Sequence, residues 1–158
     1  MDSRVKLYLN RVEDEFLLAQ QDMKISIDNK LKEILGIRQE KTFFHSVISH
    51  AYYTIFHCAK AYLLSKGIKT QPPEEHKATY EEFAKLVNKG LVDKELLSLY
   101  EDAIGKAESL LNIFFLEKRK RGFFTYNIKS EANIPYAKES IENAKKFITA
   151  LKGIIEKG

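Results

Sequence analysis

The sequence predicts an all-α fold, five helices in one bundle-like domain, on three observations. Apolar residues recur at steps of three and four along almost the whole chain, the spacing that lines one face of a helix. Chain breakers are scarce: 7 Gly and 3 Pro in 158 residues are too few for a many-turned β fold. No stretch shows the strict alternation of a half-buried strand, and no internal repeat is present. The length suits one domain over 1–158 with a respectable core.

The first element runs over about 4–35, with Val5, Leu9, Val12, Phe16, Ala19, Met23, Ile27, Leu31 and Leu35 on its stripe. It reads as one long helix or as two with a bend, stopped at Gly36. The core proper is expected over about 42–156. Its first helix, about 42–66, carries Phe44, Ile48, Ala51, Ile55, Ala59 and Tyr62, widened by Tyr52, Phe56 and Leu63. Residues 42–59 hold no Asp, Glu, Lys or Arg, so this is the candidate central helix. Pro72 and Pro73 interrupt the pattern, as a loop or first turn does. A shorter helix follows over about 75–89, with Tyr80, Phe83, Ala84 and Val87 inward, closed by Gly90. Asp93 can cap the next, whose stripe runs from Leu96 through Tyr100, Ile104 and Ala107 to Phe114 and ends near Arg121–Gly122. After a loop of about a dozen residues, read between Gly122 and Pro135, the last helix spans about 135–156.

Composition narrows the function. The N-terminus lacks the apolar core of a signal peptide. The charge-free stretch 42–59 contains three His and several hydroxyls, which suits a buried helix and not a membrane span. One cysteine, Cys58, excludes an internal disulfide and a Cys-rich zinc site and fits a reducing cytoplasm. A net charge of +4 permits an anionic partner without requiring one. There is no glycine-rich phosphate loop and no H-E-x-x-H, so no cofactor and no metal are expected.

The run AYYTIFHCAKAYLLSKGIKT (51–70) resembles the central helix of the HEPN superfamily, the higher eukaryotes and prokaryotes nucleotide-binding domains. Specifically, it resembles the small archaeal and bacterial stand-alone members, whose helix carries YYxxFHxAxAxL. EEHKATYEEFAKLVNKGLVD (74–93) resembles the family's THK…F…G segment. Arg121-x-x-x-x-Tyr126 falls where members often carry R-x-x-A-D-Y, and AKESIENAKKFITAL fits the closing helix, so the resemblance spans about 42–152. It implies a single five-helix up-and-down bundle, frequent homodimerisation and, often, a minimal nucleotidyltransferase as partner. Some members are ribonuclease toxins of toxin–antitoxin pairs that use R-x4-H. This chain departs in three places: His50 stands where Arg is common, Thr125 replaces Asp, and Tyr126 replaces the histidine. No histidine follows His76.

The departures bear on chemistry. Metal-independent RNA cleavage needs proton transfers near neutral pH and a cation on the scissile phosphate, roles suited to histidine and arginine. Arg121 can clamp a phosphate. Tyr126, with an ordinary pKa of about 10, is a poor base at pH 7 but can donate a hydrogen bond or stack on a base. Lys118, Arg119, Lys120 and Arg121 are candidate phosphate contacts, although basic residues at a helix C-terminus also serve the macrodipole without any ligand. Phe123 and Phe124 read as anchors of the loop to the core. His50 and His57, seven apart, lie on one side of the central helix, about 10 Å apart along its axis and too far to share a metal. One reading has them packing against a neighbouring helix with one hydrogen bond each. The other has their face meeting the 117–130 region, with His50 supplying the imidazole that Tyr126 cannot. Glu13, Asp14 and Glu15 read as a solvated face, and Cys58 as a small core residue. The expectation is a cytoplasmic accessory or binding protein, a homodimer that partners a minimal nucleotidyltransferase and meets RNA or nucleotide phosphate through 117–126. The alternative is a metal-independent endoribonuclease toxin with a degenerate R-x4-Y site.

Overall fold

The structure, a computed structural model, describes residues 1–111 and 134–158, with side chains described through 108 in the first stretch. The described residues form six helices and no strand, so the fold is all-α. The chain is α1 (Ser3–Ile27), α2 (Asn29–Leu35), α3 (Phe44–Ser65), α4 (Glu75–Asn88), α5 (Lys94–Leu111) and α6 (Ile134–Lys157).

The extra helix arises at Asp28, which divides the expected first element. Its backbone is extended (φ −106°, ψ 103°), and its carboxylate accepts the Leu31 N–H at 3.0 Å, capping α2. An Asp that caps a new helix offers the backbone an alternative to continuing the old one. The Ser26 hydroxyl accepts the Phe43 N–H at 2.7 Å, which ties the 37–43 connection back onto α1. Gly36 (φ +71°) closes α2 and Gly67 (φ +78°) closes α3, both in the left-handed region where glycine carries no Cβ penalty.

α3 is the central helix, as its charge-free surface suggests. It packs against α1, α6, α5 and α4, and its most extensive contact is with α1. Thirteen of its residues are buried, including Ile48, Tyr52, Ile55, Phe56, Tyr62 and Leu63, so burial extends around most of its circumference. Phe83 of α4, Tyr100 of α5 and Phe147 of α6 meet below it, with ring centroids 5.6–6.0 Å apart. Each is fully buried, and burying an aromatic ring of this size contributes about 2–3 kcal/mol. None of the described helices is long and apolar enough to cross a membrane. The expected end of the fifth helix near Arg121 lies outside the described residues.

Candidate functional site

α1 covers the side of α3 that carries His50 and His57, together with Val47, Thr54 and Ala61, all three fully buried. Two polar centres lie along this α1–α3 seam, and they differ in sign.

At one end, His50 stands between two carboxylates of α1. Its Nδ1–H donates to Glu15 Oε2 at 2.5 Å, and Nε2 lies 3.6 Å from Asp22 Oδ2. Glu15 and Asp22 are seven apart on α1, two turns, so both reach the same side. The Thr54 hydroxyl donates to the His50 carbonyl at 2.8 Å. Burial raises the Asp22 carboxyl above its ordinary value, and the His50 charge opposes that shift. Glu15 is therefore not part of a wholly solvated acidic face. Glu13 and Asp14 are exposed, and Glu13 accepts from Lys152 of α6 at 2.9 Å.

At the other end the charges reverse. His57 lies among Tyr8, Tyr53 and Phe56, with ring centroids 5.9, 6.0 and 5.2 Å away. Its Nδ1 is buried and has no hydrogen-bond partner among the described residues. Burial, then the nearby Arg11 and Lys60 charges, push its pKa down to about 4, so the ring is neutral at pH 7. Lys60, one turn on and only 5% exposed, pairs with Glu75 at the start of α4. Its ammonium also donates to the Thr70 carbonyl at 3.1 Å and lies 4.9 Å from the centre of the Tyr8 ring. His76, in the first turn of α4, shares a 2.7 Å hydrogen bond with the Tyr52 hydroxyl and stacks on Phe56 at 4.2 Å. Burial lowers the His76 pKa as well. His45 is exposed in the first turn of α3.

A second buried lysine clamps α5 to α6. Lys106 is fully buried and donates to Asp102 at 2.6 Å and to Glu139 at 2.8 Å, while the Asn143 amide donates to Asp102 at 3.1 Å. Cys58 is a buried core thiol whose pKa burial pushes up to about 12, which leaves it protonated and unreactive.

Sequence reasoning missed Lys60, Lys106, Glu15 and Asp22. For Lys60 a signal exists: it is the only Asp, Glu, Lys or Arg in the α3 sequence, four after Phe56; Lys106 stands among other charged residues of α5 and gives none. For the acids there is none, because periodicity assigns a face but not the partner across the seam. Of the residues singled out from sequence, the structure places His50 on the seam. Lys118, Arg119, Lys120, Arg121 and Tyr126 lie outside the described residues, as do Phe123 and Phe124.

No curated protein and no solved structure matches the chain. One family model does, described as HEPN domain, over residues 37–154. The match begins after α2 and takes in α3 to α6, so the helix that covers His50 and His57 lies outside it. With three quarters of its length in that match, the chain belongs to the HEPN domain family.

Proposed function

We propose that this protein is a non-cleaving HEPN accessory module, a homodimer that partners a minimal nucleotidyltransferase and contacts RNA or nucleotide phosphate through residues 117–126. Family membership itself points to a nucleotide- or RNA-related role. The observation that supports the non-cleaving part of the reading is the setting of His50. A histidine that served RNA cleavage in place of Tyr126 would need a phosphate beside it. His50 instead has carboxylates of Glu15 and Asp22 at both ring nitrogens, and these repel a phosphate. His57 gives no substitute, since a pKa held down to about 4 makes it a weak base with no proton to donate at pH 7, and its half-buried ring is packed among aromatic side chains.

In this reading Arg119, Arg121 and the neighbouring lysines attract phosphate, and Tyr126 offers a hydroxyl. With a nucleotidyltransferase and ATP, that hydroxyl is an acceptor: its oxygen attacks the α-phosphorus, pyrophosphate leaves, and a nucleotidyl group remains on the tyrosine. Co-purification with a minimal nucleotidyltransferase of the same genome, followed by ATP and intact-mass measurement, tests this. The expected results are a stable complex and a nucleotide adduct absent from Tyr126→Phe. The absence of both complex and adduct would overturn the reading.

A further inference from the structure

Lys60 raises a question that packing does not answer. An ammonium only 5% exposed is costly to desolvate, and a buried ion pair gains little over apolar side chains of the same volume. Two of its three protons go to the Thr70 carbonyl and the Glu75 carboxylate. The third has no hydrogen-bond acceptor among the described residues. Lys60, Tyr8 and Glu75 together wall a cavity of about 210 Å³, and Arg4, Lys69 and Gln71 stand around it.

Size, charge and donor geometry narrow what fits. A cavity of about 150 Å³ holds one benzene, so this one takes a small group and a few attached atoms but not a whole nucleotide. Arg4, Lys60 and Lys69 face one acid in the wall, Glu75. Asp2, the cap of α1, engages Arg4 through Nε and Nη2 at 3.4 and 3.2 Å, leaving Nη1 uncommitted. Cations still outnumber acids by three to two, which favours an anion. The three cations come from α1, α3 and the loop before α4. An anion held there meets donors from three elements, which the several oxygens of a phosphate can accept at once. Tyr8 offers an apolar wall for the atoms behind it.

We infer that this cavity binds the phosphate of a small phosphate monoester, with Lys60 buried in its wall and Arg4 and Lys69 beside it. The described residues that line it all lie outside 117–126. Its ligand is either a free sugar phosphate or the 5′-phosphate end of an RNA strand, the same chemistry from two sources.

Titration of the intact chain with ribose 5-phosphate, followed by backbone amide shifts, tests the site. The expected result is a saturable shift at Lys60, Lys69, Thr70 and Gln71 that ribose does not produce. Lys69→Glu changes an exposed side chain, so the fold survives, and it weakens binding by about tenfold. No saturation, or saturation indifferent to Lys69→Glu, would each overturn the inference. A competing oligoribonucleotide resolves the source. Displacement of ribose 5-phosphate only by a 5′-phosphorylated strand assigns the RNA end, and displacement by neither strand assigns the free monoester. Equal displacement by a 5′-hydroxyl strand would contradict a monoester site.

Discussion

The two ends of the α1–α3 seam carry a histidine each and are built in opposite ways. Around His50 the partners are carboxylates, part-exposed and reached across the seam from Glu15 and Asp22. Around His57 they are aromatic rings and the cations of Arg11 and Lys60, and the acid, Glu75, is already engaged by Lys60. Both imidazoles sit on one face of one helix, two turns apart, so helical position cannot account for the difference. What differs is the side chain that α1 or α4 brings to each. An anion is repelled at the His50 end and attracted at the Lys60 end, while the imidazole at the attracting end is neutral. Among the described residues, the carboxylate-flanked imidazole of His50 and the cationic cavity beside Lys60 lie at opposite ends. That separation supports the accessory reading.

The contrast breaks most visibly if Lys60 is removed. Lys60→Ala leaves the Glu75 carboxylate without its cation and opens space beside Tyr8, so urea unfolding should show a loss of about 3 kcal/mol. The double variant Lys60→Met with Glu75→Leu should recover most of it, since no unpaired charge remains. If the single and double variants unfold alike, the pair is not the centre of this end.

The next effect is a pH dependence at His57. Its folded pKa, about 4, lies below the ordinary value of 6.5, so between these values the unfolded chain binds the extra proton. Stability therefore rises with pH across that window, is fully present above about 6.5, and is lost as pH falls through about 4. After allowance for solvent screening, the loss from this group is about 2 kcal/mol. His57→Phe should flatten the stability profile between those pH values. An unchanged slope in the variant would show that the ring is protonated at the same pH in both states.

At the opposite end, His50→Ala should cost about 1 kcal/mol, because its partners remain in contact with water. A loss as large as that of Lys60→Ala would erase the distinction between the ends. The smallest effect sharpens the baseline: the exposed Lys152–Glu13 pair joins α6 to α1 outside the seam, and Glu13→Ala should change stability by less than about 0.5 kcal/mol.

Helix periodicity made the all-α architecture legible, including the central place of α3, because an unbroken charge-free surface has to be covered on most sides. The bend in the first element was visible only as an alternative. What decides it is a local competition at Asp28, whose side chain caps a second helix, and stripe positions pass through that point without interruption. The seam itself was half legible. Spacing placed His50 and His57 on one face and suggested a helix packed against it, but could not say which helix. It also read Glu15 as solvated, because the three consecutive acids point three ways and only one meets α3. Lys60 and Lys106 escaped notice because lysine is ordinarily exposed and the carboxylates of Glu75 and Glu139 that partner them come from other helices. The R-x4-Y motif was found through resemblance, and its residues lie outside those described.

The most direct test of the separation between imidazole and phosphate is a gel of total tRNA incubated without metal with the intact protein, His50→Ala and Arg121→Ala. Intact tRNA in every lane, with retention weakened by Arg121→Ala, is the predicted result. Fragments produced by the unmodified protein and lost in His50→Ala would contradict it, since His50 would then be working beside a phosphate despite Glu15 and Asp22.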